Sequence, residues 1–552
     1  MDFIVAAFLD YLRCSREQEE FARNLVLETA RKKRSKVQNL RPLRELALQK
    51  IITFNRETCA ETLVPFQHFP STLRLEIIKR LQTQNSKVEG ITPDFMIQWT
   101  VDLVGRLLDA SVKEFDFATF SDGKDQERDL RVWRMLVERC PNLEYVADTR
   151  RRRRVRGRST DENLRDVLPF VLQLPKLRHI LLSDYICKPN DLTQIIQRFP
   201  SLVSLGFFCN DVPTLQSNLF TLQSLEVLKI KWDCPIPSST IIWQEHEAKR
   251  CHCTQLGLEC LKRLPRLRSS TFCIYGWPGK EPCTYQCPRQ PLPLEQLDIA
   301  GSFDLQLVPS LKQLVWYGVE SPRPMSAVSA PAFAYLTSLR VLITHYVQGN
   351  LIAEVLPFCG GRLEEIKLTV SDDSSLDICD VFLHCPLLHK FHIYYEIFVQ
   401  EPKPFSHNLQ ASHFQNLQEF FLDWRVSHAY ASKLLALVLT APHLQRFVMK
   451  QSFTLNAEDC DRFSHLVVQE RILQKLETFV FGSHREQPAE LLDFLRMLPI
   501  YAPWLETMEC LGAHRSFLVQ MRRLLVEETL NAIDGFCFID SHKFHREDYT
   551  DD

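Results

Sequence analysis

One short phrase, repeated along most of this chain, restricts its fold more than any bulk property does. An apolar residue, often a proline, and one further residue lead into Leu-x-x-apolar-x-apolar. It is written Cys140-Pro-Asn-Leu143-Glu-Tyr-Val146, Leu174-Pro-Lys-Leu177-Arg-His-Ile180-Leu-Leu182 and Phe199-Pro-Ser-Leu202-Val-Ser-Leu205-Gly-Phe207. It returns from Leu225, Leu294, Leu311, Leu339, Leu363, Leu388, Leu417 and Leu444, and closes at Leu476 and Leu505. Successive first leucines fall 23 to 29 residues apart at 202 to 225, 339 to 363, 363 to 388 and 388 to 417.

That period belongs to leucine-rich repeats. Each phrase makes a short strand whose alternate side chains point inward, and a helical half covers them from the other side. Helical halves are legible in Asp191-Leu-Thr-Gln-Ile-Ile-Gln-Arg-Phe199, in Ser432 to Leu439 and in Pro488 to Leu498. Proline near the junction is expected to end the helix and start the strand. The repeats are irregular and lack the asparagine of regular extracellular versions, which fits an intracellular chain. The expected fold is an α/β irregular leucine-rich-repeat horseshoe, a solenoid of roughly twelve or thirteen repeats, behind a helical N-terminal domain. Two spacings break the rhythm: 42 residues from Leu225 to Leu267, and only 17 from Leu294 to Leu311. Insertions near 235–250 and 276–292 account for the irregularity, and such insertions leave one face of a solenoid.

Domain boundaries follow. Residues 1–115 lack the phrase and read as a helical module. Residues 116–514 carry the repeats, and 515–552 read as a helical cap near Ser516 to Asp534 with a short acidic tail. A chain of 552 residues outgrows one ordinary core unless the core grows by repetition. Only 16 glycines against 36 phenylalanines argues against turn-rich barrels and against phosphate-cradling loops. A net charge of −2 supplies no field for nucleic acid or membrane, and no apolar run approaches the ~18 residues of a bilayer span. The first twelve residues read as an amphipathic helix, since Asp2 and Asp10 spoil a signal peptide. Without such a signal, the 18 scattered cysteines read as reduced core thiols, so a cytoplasmic or nuclear location is expected.

The N-terminal module holds two further patterns: Pro42-Leu43-Arg-Glu-Leu46-Ala47-Leu48-Gln-Lys-Ile51, and Phe69-Pro70-Ser-Thr-Leu73-Arg-Leu75-Glu-Ile77-Ile78-Lys-Arg-Leu81. The first resembles the BC box that docks elongin C, with Ala47 where that family usually has cysteine. The second resembles the downstream cullin box. Together they are similar to the VHL box of cullin-2 substrate receptors, among them the Zyg-type receptors that also run into irregular leucine-rich repeats. The second pattern equally resembles the opening helix of an F-box, which docks the Skp adaptor of cullin-1 ligases. Either resemblance implies that Pro42, Leu43, Ala47, Ile51, Pro70, Leu73 and Ile77 anchor an adaptor, elongin B/C with cullin-2 or Skp with cullin-1. The repeats would then hold an unknown protein substrate. A scaffold without any adaptor is the alternative, in which these apolar stripes only pack against the first repeat.

Other clusters carry less. Arg150 to Arg158 is read as a solvated loop, with a nuclear-import signal as the competing use. His246, Cys251, His252, Cys253, Cys260, Cys273, Cys283 and Cys287 crowd together, but no tight Cys-x-x-Cys pair is among them, so no metal is assigned. No catalytic signature occurs: Gly276-Trp-Pro-Gly279-Lys lacks the spacing of a phosphate loop, and His246-Glu247 has no second histidine four residues on. The expectation is a binding protein without catalytic residues or cofactor.

Overall fold

The computed structural model describes residues 104–117, 126–148, 164–209, 219–232, 259–275, 291–300, 305–317, 330–370, 376, 378–395, 414–423, 434–453, 457–469, 471–483, 489–511 and 537–540, with single positions at 28, 31, 32, 74 and 77. The protein is mixed α/β. Among the described residues sixteen strands run parallel to their paired neighbours in chain order, and they do not close into a barrel.

The chain forms two compact units, one of Arg44–Leu339 and one of Met1–Leu43 with Arg340–Asp552. The unit in Arg44–Leu339 holds β1 (Glu114–Asp116), β2 (Tyr145–Ala147), β3 (His179–Ile186), β4 (Ser204–Cys209), β5 (Val227–Trp232), β6 (Ser269–Tyr275), β7 (Gln296–Ala300) and β8 (Gln313–Tyr317). Helices α1 (Gln126–Arg139), α2 (Leu164–Gln173) and α3 (Pro189–Arg198) precede β2, β3 and β4. The unit in Arg340–Asp552 holds β9 (Val341–Val347), β10 (Glu365–Val370), β11 (Lys390–Tyr395), β12 (Glu419–Asp423), β13 (Arg446–Phe453), β14 (Thr478–Ser483), β15 (Thr507–Leu511) and β16 (Cys537–Asp540). Its helices are α4 (Gly349–Cys359), α5 (Ile378–His384), α6 (Ala457–Val468) and α7 (Ala489–Tyr501). Short 3-10 turns occupy Leu305–Leu307, Ala330–Tyr335 and Gly360–Arg362.

Each phrase folds the same way. The first leucine donates its N–H to the carbonyl three residues back: Leu388 to Cys385 at 3.1 Å, Leu417 to Phe414 at 3.1 Å, Leu505 to Ala502 at 3.1 Å. Where proline is present, as at Pro386 and Pro503, it occupies the second position of that turn, where its fixed φ is already suited and no N–H is needed. It therefore ends the helix as expected but does not start the strand, which begins two residues after the leucine. The residue between leucine and strand offers one carbonyl to two donors of the next phrase. His389 and Lys390 donate to the Glu364 carbonyl at 2.8 and 3.1 Å, and Gln418 and Glu419 to the His389 carbonyl at 2.8 and 2.9 Å. This shared acceptor recurs from phrase to phrase and locks the register, so equivalent residues pair: Glu365 with Lys390, Lys390 with Glu419, Glu419 with Arg446.

The odd spacings resolve simply. β5 pairs directly with β6, Val227 opposite Ser269, so the 42-residue interval is one long repeat. The 17-residue interval joins β7 to β8 through the 3-10 turn at Leu305–Leu307 in place of a helix. Two strands lie where no phrase announced them: β1, led by Val112 in the leucine's place, and β16, inside the segment read as cap and tail. The expected helices appear as α3 and α7.

The cores are built from strand and helix residues together. In the first unit Phe117 stacks on Trp133 of α1 with centroids 4.7 Å apart, and Leu143, Val146 and Val171 are fully buried. In the second, the phrase's second apolar position is phenylalanine in four consecutive strands, and Phe391, Phe420, Phe447 and Phe479 contact one another at 6.0, 5.7 and 5.2 Å.

Candidate interaction face

Strand alternation sends every second side chain away from the core. In the second unit that open face carries Glu365 and Lys367 on β10, Lys390, His392 and Tyr394 on β11, and Glu419, Phe421 and Asp423 on β12. Arg446, Val448 and Lys450 follow on β13, then Thr478 and Val480 on β14 and Leu511 on β15. An open sheet face is ordinarily polar. Here Phe421, Val448 and Val480 form an apolar cluster of their own, against which Tyr394 and Leu511 pack. The Tyr394 and Phe421 rings are 4.8 Å apart, and the His392 ring lies 5.7 Å from Phe421. These three core members are nearly buried at 8, 5 and 8% exposure, whereas Tyr394 and Leu511 remain partly accessible.

Charge frames the stripe on both sides. On the upstream side Lys390 Nζ lies 2.8 Å from one Glu419 oxygen, and His392 Nε2 lies 3.6 Å from the other. The His392 imidazole first, and then the Lys390 ammonium, hold the Glu419 carboxyl down, to about 2. The same contact raises the Lys390 ammonium above its ordinary value. Downstream, Lys450 Nζ lies 3.0 Å from Asp423 and 5.5 Å from the Phe421 ring centroid, a cation held over a π face. Lys367 pairs with Glu365 on the same strand. His392 Nδ1 is buried without a hydrogen-bond partner.

The open face of the first unit has a different character. Asp298 stands on β7 opposite Val315 of β8, and burial pushes its carboxyl up to about 7 against the pull of Lys229. Ser269 donates to the Gln296 side chain at 2.8 Å and His179 Nδ1 lies 2.8 Å from Ser204 Oγ, so the upstream row is joined by side-chain hydrogen bonds.

Most residues singled out in the sequence fall elsewhere. Pro42, Leu43, Ala47, Ile51, Pro70 and Leu73 lie outside the described residues; Ile77 is helical and fully buried. Arg150 to Arg158 also lie outside them, as do His246, Cys251, His252, Cys253, Cys283 and Cys287. Cys260 is buried and its thiol pushed up by burial, and Cys273 belongs to β6. Among the described residues no group of three metal-ligating side chains occurs, and no helix is long and apolar enough to cross a membrane.

The stripe had a signal in the sequence. Where the phrase alternates, Phe420-Phe421-Leu422, Phe447-Val448-Met449 and Phe479-Val480-Phe481 are apolar three times running, putting a hydrophobe on the face that alternation reserves for water. His392 and Arg446 had none, because a polar residue at an open-face position is unremarkable by itself. No protein-family model matches the chain, and no curated protein matches it in sequence.

Proposed function

We propose that this protein binds another protein on the open face of β11–β15, and that it does so as the substrate-recognition subunit of a cullin-RING ubiquitin ligase. The binding reading is carried by the apolar stripe Tyr394–Phe421–Val448–Val480–Leu511 on a sheet face away from the core. A small apolar centre rimmed by charged pairs is the anatomy of a protein-recognition surface. The repeating turn, the shared-carbonyl ladder and the parallel strands in sequence order support reading the fold as an irregular leucine-rich-repeat horseshoe behind a helical N-terminal domain.

The ligase reading rests on the resemblance of Pro42 to Leu81 to adaptor-docking boxes. In it, Leu43, Ala47 and Ile51, or Pro70 and Leu73, enter a groove on elongin C or Skp, the repeats hold the substrate, and no residue of this chain performs chemistry. Cys140, Cys187, Cys260, Cys359, Cys379, Cys385, Cys460 and Cys510 are buried thiols outside any disulfide, in keeping with a reducing cytoplasmic or nuclear setting. One observation favours the alternative of a scaffold without adaptor: Ile77, one of the expected anchors, is already enclosed by the chain's own fold.

Affinity purification of the intact chain, with bound proteins identified by mass spectrometry, separates the two. Elongin C with cullin-2, or Skp with cullin-1, retained by the wild type and lost on Leu43→Asp or Leu73→Asp, establishes the receptor. Folded protein that retains neither is a scaffold. A partner retained by both the wild type and Val448→Asp would remove the stripe from the binding surface.

A further inference from the structure

The charges around the stripe are unequally committed. Glu419 stands in register between Lys390 on β11 and Arg446 on β13. It is taken by the β11 side, by Lys390 at 2.8 Å and His392 Nε2 at 3.6 Å. Asp423 is held by Lys450 and Glu365 by Lys367. Arg446 is exposed, and among the described residues no carboxylate reaches its guanidinium within ion-pair distance. It sits two residues before Val448, on the strand that runs through the middle of the apolar cluster. His392 Nδ1, beside the same cluster, is buried without a hydrogen-bond partner.

Among the described residues the face therefore offers an exposed, unpaired Arg446 beside an apolar floor, while Glu365, Glu419 and Asp423 are neutralised from within. A basic ligand would have to displace Lys390 or Lys450 from a carboxylate it already holds; an acidic one meets Arg446 with no competitor.

We propose that the partner presents an acidic–apolar segment, with a carboxylate on Arg446 and an apolar side chain a few residues away on Phe421, Val448 and Val480. This rests on the reading of the open face as the partner-binding surface and specifies the chemistry it selects. The planar guanidinium accepts a carboxylate through two parallel hydrogen bonds, so Arg446 fixes position as well as charge.

The test is selection of a phage-displayed random dodecapeptide library on the full-length protein, on Arg446→Glu and on Val448→Asp, each checked for an unchanged thermal melt. The wild type should enrich peptides with Asp or Glu close to Leu, Ile, Phe or Trp. A synthetic peptide of that consensus should bind Arg446→Glu about tenfold more weakly or worse, and Arg446→Glu should instead enrich Lys or Arg beside the apolar residue. Apolar peptides that bind equally well to Arg446→Glu but fail on Val448→Asp would leave the face standing and overturn the acidic specificity. Enrichment of basic peptides by the wild type would overturn it as well. No enrichment on folded wild type would remove the face itself.

Discussion

Phe447 and Phe479 lie in register on neighbouring strands with ring centroids 5.2 Å apart and planes 20° from parallel. They continue a line begun by Phe391 and Phe420, so each inner ring is packed by the phrase before it and the phrase after it. Stability in such a stack comes from nearest-neighbour contacts rather than from one central core. Phe447→Ala should therefore cost about 3–5 kcal/mol, and Phe447→Leu much less, since it keeps most of the volume. Urea unfolding followed by fluorescence checks this; equal midpoints for the two variants would mean that the rings contribute no more than bulk.

Thr344 occupies the phrase's third apolar position, opposite Leu368 in register, and is fully buried. Its hydroxyl has no hydrogen-bond partner. A buried unpaired hydroxyl costs about 1–3 kcal/mol, and valine has nearly the same shape without it. Thr344→Val should raise the melting temperature and Thr344→Ser should lower it. A fall on Thr344→Val would point to a donor or acceptor role for the hydroxyl in a partner-bound state.

The repeating strand was legible because its residues must be apolar at fixed spacing: a leucine to close the turn and two inward residues to fill the core. Thr344 shows the limit, since the phrase survives at Leu339 and Leu342 while its last member is polar. The covering elements were less legible. Between β7 and β8 the chain has room only for a 3-10 turn, which leaves no 3.6-residue period to read. β1 and β16, which end the row of described strands, escaped because Val112 replaces the leucine of the phrase at β1 and no leucine-led phrase precedes β16. The open face was legible at Phe421, Val448 and Val480, where alternation fails. The unpaired state of Arg446 was not, because it depends on which neighbouring strand captures Glu419.

Gly349 begins α4 in close contact with Leu376. A Cβ there would lie 2.7 Å from the Leu376 Cβ and 2.7 Å from its backbone nitrogen. Alanine gains about 1 kcal/mol of helix propensity over glycine, but backbone cannot swing aside as a side chain can. Gly349→Ala should lower stability by about 1–3 kcal/mol. Gly361, whose added Cβ would meet nothing within 4 Å, is the control: Gly361→Ala should be neutral or slightly stabilising. Thermal melts of the two variants decide it, and comparable losses would refute the close approach.

The Glu419 carboxyl, held at about 2 against an ordinary 4.5, makes the Lys390–His392–Glu419 contact acid-sensitive. The unfolded chain takes up this proton at a higher pH than the folded one does. The contact's contribution is therefore complete above about pH 4.5 and is lost as pH falls toward 2. Glu419→Gln should lower the urea midpoint at neutral pH, and the gap to wild type should shrink near pH 3. A gap of constant size would mean that the pairing contributes nothing specific to the ionised form.

Asp298 should behave in the opposite sense. Burial lifts its carboxyl from an ordinary 3.8 to about 7, so between those values the folded chain keeps a proton that the unfolded chain has released. Stability is thus lost as pH rises through that window, and above it the folded protein holds a poorly solvated carboxylate whose nearest offset is Lys229. Asp298→Asn removes the titration while keeping shape and polarity. It should match the wild type near pH 4 and exceed it in urea midpoint near pH 8. Lys229→Met should widen that difference, because the carboxylate then loses the one cation that eases its ionisation. If Asp298→Asn is less stable than wild type at both pH values, the carboxylate is held by a favourable partner and the burial account of its titration is wrong.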